Sequence, residues 1–318
     1  MNKKRNFLLA MLATTFCTIA CAQSIPIGLH MQAEVNSATS EHYVLETRDD
    51  ERIASGDLKE NVRARLNVGY MMPVSKKLML GLSARYDYNN EHLSGLPDEE
   101  VLIDDNHHSF KGSMNVMYRS QLWNKPLVAF ANVGMDASHW GVERFSGMGA
   151  ALLMLKATRE TQFGVGPLVM INTTSRLPFL FVATYRHVYS PQWTLNLNYP
   201  FFGMQYTPSQ KHTIAGGFAF DADYYWVRPA NEELPKTVFF RRSLLRTGIN
   251  YDYRVSPTIT FTAQTGWEYT MAGGLYTASG RHLIYDLNHP NGPYAHLRIS
   301  FRPESKLTKK IQAMMNQR

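Results

Sequence analysis

Trp193-Thr194-Leu195-Asn196-Leu197-Asn198-Tyr199 alternates apolar and polar side chains without a break. Successive side chains of a strand point to opposite faces, so Trp193, Leu195, Leu197 and Tyr199 share one face and Thr194, Asn196 and Asn198 the other. The segment is reached through the turn signal Ser190-Pro191-Gln192 and ends at Pro200. From Ile27 to Phe301 the same unit recurs, about ten residues of alternation and then a turn. One oily face and one wet face on every strand suit two architectures. In a soluble sandwich the oily face meets a second sheet, whereas in a membrane barrel it meets lipid and the wet face lines a lumen.

Connection lengths favour the barrel. Val62, Ala64, Leu66, Val68 and Tyr70 alternate with Arg63, Arg65 and Asn67; the chain reverses through Pro73-Val74-Ser75-Lys76-Lys77 and returns along Leu78, Leu80, Leu82, Ala84, Tyr86 and Tyr88. Short links of this kind recur at Ser120 to Lys125, Arg159-Glu160, Ser190 to Gln192, Thr207 to Gln210 and Val255 to Pro257. Long polar stretches, Glu41 to Glu60, Asn89 to His107, Val227 to Phe239 and Met271 to Asn291, fall between them. A sandwich has no reason to sort its links this way, whereas outer-membrane barrels have short periplasmic turns and long outer loops. The expectation is all-β: one transmembrane antiparallel barrel of about fourteen strands, with a range of about twelve to sixteen, and both termini in the periplasm.

The first residues read as an export leader. Lys3, Lys4 and Arg5 precede the apolar run Phe7 to Ile19, and Ala20-Cys21-Ala22 supplies small residues before Gln23. This divides the chain into a signal peptide (1–22), a barrel (23–302) and a basic periplasmic tail (303–318). The alternative is a lipoprotein leader acylated at Cys21, against which Thr18 stands where such leaders carry Leu. Both cysteines, Cys17 and Cys21, lie in the leader, so the processed chain has no disulfide, thiolate metal site or cysteine nucleophile. Past the leader no apolar run approaches the ~20 residues of a spanning helix; Ala150 to Leu155 stops at Lys156.

The net charge of +7 includes the three leader cations, leaving +4, too mild to argue for nucleic acid. The 17 Tyr, 16 Phe and 5 Trp exceed what a small soluble core needs and suit interfacial belts. On the outer rim Tyr86, Tyr88, Phe110, Tyr224, Trp226, Trp267 and Tyr269 stand at strand ends, where they are expected to face lipid headgroups. The last strand, Tyr294 to Phe301, alternates Leu297, Ile299 and Phe301 with His296, Arg298 and Ser300, and its terminal aromatic resembles the signal read by the barrel assembly machinery. In the tail, Leu307, Ile311, Met314 and Met315 recur at helical spacing among Lys306, Lys309, Lys310 and Arg318; a frayed basic segment and a short amphipathic helix or plug are the two readings.

Lys125-Pro126 ahead of a strand, Ser190-Pro191-Gln192-Trp193-Thr194-Leu195 with Tyr199-Pro200, and Phe239-Phe240-Arg241-Arg242-Ser243-Leu244-Leu245-Arg246 carry a resemblance over nearly the whole processed chain. In these turn and strand patterns it resembles outer-membrane β-barrel proteins of Bacteroidota, a group of barrels of unassigned function. The resemblance implies the fold and the location, and brings no activity or site residue with it.

Chemistry is therefore sought on the inward face. A charge on the lipid side at mid-bilayer costs about 2–4 kcal/mol, so Arg63, Arg65, Arg85, Lys111, Arg119, Lys156, Arg246 and Arg298 are expected to point inward with Glu34, Asp87, Asp221, Asp223, Asp252 and Glu268. These lumen candidates give two readings: a pore whose cations select small polar or anionic solutes, or a filled lumen in which cations and acids neutralise each other. The first makes the protein a channel or transporter, the second a closed scaffold or surface interaction protein acting through its long outer segments. An outer-membrane lipid hydrolase is the third class, with only His187 near Tyr185, His296 near Ser300 and His107-His108-Ser109 to draw on, and the chain is read as not an enzyme. The acidic run Asp98-Glu99-Glu100 with Asp104-Asp105 reads as a solvated loop rather than a cation or lipopolysaccharide bridge. No cofactor and no metal is expected; the partners expected are outer-membrane lipid, lipopolysaccharide and the assembly machinery.

Overall fold

The computed structural model describes residues 28–38, 41–46, 52–93, 106–138, 141–171, 179–198, 201–227, 235–277, 282–288 and 291–302. Among them are sixteen strands and no helix. In chain order these are β1 (Gly28–Ala38), β2 (Glu41–Glu46), β3 (Arg52–Pro73), β4 (Leu78–Leu93), β5 (Asn106–Leu122), β6 (Lys125–Ser138), β7 (Gly141–Ala157) and β8 (Thr161–Ile171). The rest are β9 (Phe179–Val188), β10 (Trp193–Asn198), β11 (Phe201–Tyr206), β12 (His212–Val227), β13 (Val238–Arg254), β14 (Ile259–Thr277), β15 (Leu283–Asn288) and β16 (Gly292–Phe301). Strands β3 to β14 pair antiparallel in sequence order, β14 pairs with β16, β16 with β1, and β1 with β3, so fourteen strands close the wall. The short β2 and β15 pair with each other and extend the wall beside β3 and β14 at the outer end.

The period of two sorts the side chains. Tyr70, Leu82, Phe145, Phe181, Ile249 and Leu297 are all exposed on the outer face, an arrangement that only lipid makes favourable. The lumen face carries the buried polar groups, among them Arg63, Asn89, His107, Asp136, Arg144 and Glu268. In the ladder Glu34 stands opposite Arg65 on one side and Arg298 on the other.

The tight turns share a device. Ser75 Oγ accepts from the Lys77 and Leu78 amides at 3.2 and 3.1 Å, and Ser190 and Ser256 do the same for the amides two and three residues on. A serine in a four-residue turn thus holds backbone donors that the ladder has released. Between β5 and β6 only Trp123 and Asn124 remain outside the strands, with φ of +52° and +59°, the left-handed pair that matches the strand twist in a two-residue hairpin. That turn is tighter than the Ser120 to Lys125 link expected from sequence.

Several loops are shorter than expected too. β3 begins at Arg52 within the Glu41 to Glu60 stretch, and β12 and β13 pair from His212↔Tyr253 out to Val227↔Val238, into the Val227 to Phe239 stretch. Ladder hydrogen bonds continue past the apolar band because a strand pair in water needs no oily face. The leader 1–22, the acidic run Asp98 to Asp105 and the tail 303–318 lie outside the described residues.

One row bends the wall. Gly203, Gly217, Gly248 and Gly266 lie side by side in register across β11, β12, β13 and β14, all on the lumen face. A Cβ on Gly217 or Gly248 would sit 2.2 Å from a neighbouring carbonyl oxygen, and on Gly266 1.9 Å, so the four backbones approach closer than any side chain permits. Above this crease Met271 is left unopposed between the Leu244↔Thr270 and Ser243↔Ala272 pairs, a bulge that adds twist. In the outer half of the β12–β13 hairpin, β13 stays paired with β14 out to Val238↔Thr277, whereas β11 pairs β12 only as far as Ala219, and β12 packs against β5 across the lumen.

Candidate functional site

The folded-in hairpin encloses a cleft against β3, β4 and β5. Odd-numbered residues of these three strands share the lumen face, which places Arg63 beside Asn89 and His107, Arg65 beside Asp87 and Ser109, and Arg85 beside Lys111 in successive ladder rows. The cleft is narrow and partly open to solvent, and Ala222, Tyr224 and Tyr225 of β12 form its lid. Asp87 accepts from Arg65 Nε through Oδ1 and from Arg85 Nε through Oδ2, both at 2.6 Å. Among the described lining residues Arg63, Arg65, Arg85 and Lys111 face one acid, Asp87. The described lining is net positive, and its cations stand in a space walled by protein, where their field is weakly screened.

Aromatic contacts hold the lid. The Tyr225 ring stacks on His107 with centroids 4.5 Å apart and on Phe240 of β13 at the same distance. Lys111 Nζ stands 3.5 Å from the Tyr224 ring centroid. Further along, the Arg144 guanidinium of β7 lies 5.2 to 5.3 Å from the rings of Tyr224, Trp226 and Phe239, while donating from Nη2 to Asp136 at 2.7 Å. Each cation over a ring contributes about 0.5–2 kcal/mol, more when desolvated.

A second network ties the root of the hairpin to the wall. Arg246 is bonded to Asp221 and, from Nε, to Glu268 Oε2 at 2.7 Å; Arg242 Nη2 lies 3.5 Å from Glu268 Oε1. The side chains of Arg242 and Glu268 are 2 % and 6 % exposed, so this group is shut away from water.

The expected lumen candidates therefore separate into sets. Arg63, Arg65, Arg85, Asp87 and Lys111 meet in the cleft, and Asp221, Arg246 and Glu268 in the root network. Asp252 accepts from Thr262 Oγ1 at 2.6 Å near the turn end, with Arg298 Nη2 3.5 Å from the same hydroxyl. Asp223 stands opposite Arg242 in the ladder. Arg119 is exposed at the end of β5. Lys156 is a correction: a register shift after Met154 sets it opposite Phe163, whose ring meets Tyr185 on the outer face, so Lys156 reaches water beside a turn instead of pointing inward. Tyr224 and Trp226 are a second correction. Expected in the outer girdle, they lie under Lys111 and Arg144 inside the barrel.

Sequence reasoning missed Tyr225, Phe240, Arg144 and Asp136. The available signal was the loss of alternation: Tyr224-Tyr225-Trp226 and Val238-Phe239-Phe240 are apolar on both faces, which a strand with one wet face is not. Of the histidines weighed for hydrolysis, His187 Nδ1 pairs with Thr161 Oγ1 at 2.9 Å and His108 Nδ1 with the Tyr86 hydroxyl at 2.7 Å.

A closed wall of fourteen antiparallel strands, apolar outside and charged within, defines an outer-membrane β-barrel. No family model and no curated protein matches the chain. Solved structures that it is similar to include an outer membrane channel from Pseudomonas putida F1 (10% identity, TM-score 0.44, 87% of this chain and 96% of that one). A Pseudomonas aeruginosa FadL homologue (10%, 0.42, 86% and 90%) and the P. putida toluene transporter TodX (8%, 0.39, 92% and 94%) are others.

Proposed function

We propose that this protein is a gated channel of the bacterial outer membrane for small anionic polar solutes, exported by the leader 1–22 and inserted among lipid and lipopolysaccharide by the barrel assembly machinery, and that it is not an enzyme. The observation that carries the reading is the cleft in which Arg63, Arg65, Arg85 and Lys111 face Asp87 beneath a hairpin that crosses the lumen. A solute anion in the cleft replaces water with fixed cations, and a retracted hairpin leaves the passage open.

The test is ion preference in planar bilayers. A unit charge about 6 Å from a permeating ion is worth about 0.7 kcal/mol in water, attractive for chloride and repulsive for potassium, so Lys111→Gln is expected to lower the chloride-to-potassium preference about tenfold, read from reversal potentials. An unchanged preference in a conducting variant would discard the cleft as the selective element.

The closed scaffold remains as a second reading because buried ion pairs, Arg144 with Asp136 and Arg246 with Glu268, fasten the hairpin. Correctly folded protein that never conducts would favour it, and would move the search to the outer segments.

A further inference from the structure

The periplasmic rim sorts charge as the lumen does not. On three consecutive turns, Lys76 and Lys77 lie between β3 and β4, Arg119 and Lys125 flank the β5–β6 link, and Lys156 and Arg159 stand at the β7–β8 link. All six are exposed, and Glu160 is the one acid on these turns. The lumen arginines are matched instead: Arg65 and Arg85 meet Asp87, Arg144 meets Asp136 and Arg246 meets Glu268. Among the described residues none of the six rim cations forms an ion pair. A rim that only had to stay solvated would carry both signs interspersed. At about 4.8 Å per strand, β3 to β8 make an arc of about 24 Å that holds this charge. The next link, 189–192, is uncharged, and Lys211, Arg254 and Arg302 stand singly beyond it.

Part of the arc turns to the lipid side. Lys125 stands opposite Leu122 across the hairpin, and Lys156 opposite Phe163, whose ring meets Tyr185 on the outer face. Cross-strand partners share a face, so both lysines lie outward. Lys125 Nζ donates to the Leu155 carbonyl at 3.5 Å, which holds its charge at the strand end that carries Lys156, with Arg159 three residues on. Trp123, at the tip of the β5–β6 turn, is 78 % exposed, and Leu122 and Leu155 beside Lys125 are exposed too. An indole and leucines at this level suit the boundary between acyl chains and headgroups, where lysine stems lie along apolar surface and their ammonium groups reach the phosphates.

We infer that the β3–β8 arc of the periplasmic rim binds headgroups of anionic phospholipids of the periplasmic leaflet, a phosphate seated among Lys125, Lys156 and Arg159 and the lipid's apolar part on Trp123 and Leu155. Net charge chooses the lipid, since a zwitterionic headgroup brings an ammonium with its phosphate and an anionic one does not. An acidic polymer beneath the rim would meet the same charge but leave Trp123 and the outward lysines unused. The site needs the barrel in a membrane and not an open lumen, so protein that never conducts still tests it.

The probe is phosphatidylglycerol against phosphatidylcholine with the same acyl chains, one of the two brominated, in vesicles holding the folded full-length protein. Bromine quenches tryptophan on contact, and the quenching lost in Trp123→Phe reports the lipid at this arc. Near an anionic surface each cation is worth about fivefold, so phosphatidylglycerol is expected to be preferred at Trp123 by at least about fivefold at low salt, falling towards unity at high salt. Lys125→Gln with Lys156→Gln and Arg159→Gln should abolish the preference in protein that is still folded by gel mobility, and Lys125→Arg with Lys156→Arg should keep it. An equal preference at Trp267, exposed near the outer rim, would overturn the site in favour of the protein's overall charge. Equal quenching by the two lipids at Trp123 would overturn the inference, and polyglutamate shielding Lys125 and Lys156 from acylation would then assign the arc to an acidic polymer.

Discussion

Glu268→Ala is expected to cost the folded barrel about 3–5 kcal/mol, the penalty of removing one partner from a desolvated ion group. Glu268 is the acid that both Arg242 and Arg246 approach, at 3.5 and 2.7 Å, and the Arg242 side chain is 2 % exposed. Without Glu268 the two guanidinium groups repel each other in a site largely shut from water, with Asp221 still at Arg246. Glu268→Gln keeps an acceptor oxygen and should lose less, separating charge from hydrogen bonding. Asp87→Ala is the contrast: its partner Arg85 is 31 % exposed, so water re-solvates the freed cation and the loss is smaller. The measurement is urea unfolding in lipid vesicles followed by tryptophan fluorescence, and a Glu268→Ala loss below about 1 kcal/mol would refute the account, since only exposed pairs are worth so little. Because the network sits at the root of the hairpin, the same variant should also conduct more often.

The wall was legible because lipid and water enforce a period of two that no other environment writes so consistently. The strand count follows from counting the alternating segments, and the grouping of Arg63, Arg65, Arg85, Asp87 and Lys111 on one face from their parity. What parity does not encode is bending. Tyr224 and Trp226 occupy strand-end positions that fit an interfacial belt equally well, and their place under Lys111 and Arg144 shows only in contacts between distant strands. The alignment of Gly217 with Gly203, Gly248 and Gly266 is a matter of register between four strands. Lys156 was lost to a register shift, which shows in pairing and not in composition.

Gly266→Ala is expected to raise open probability by about fivefold to about a hundredfold. A Cβ there would lie 1.9 Å from the Thr247 carbonyl oxygen and 2.6 Å from Gly248 Cα, so β13 must shift away from β14. Overpacking of this kind costs about 1–3 kcal/mol, and the strain is relieved by flattening the crease that directs the hairpin inward. If that strain falls on the closed state alone, each 1.4 kcal/mol moves the closed-to-open ratio tenfold, which sets the range. Gly216→Ala is the matched control, two strands away with its Cβ pointing outward into open space, and should leave conductance unchanged. Equal conductance of the two variants, both folded by gel mobility, would mean that the crease shapes the wall without governing the hairpin. A rise confined to Gly266→Ala would tie closure to four glycines whose lack of side chains lets the sheet fold through its own lumen.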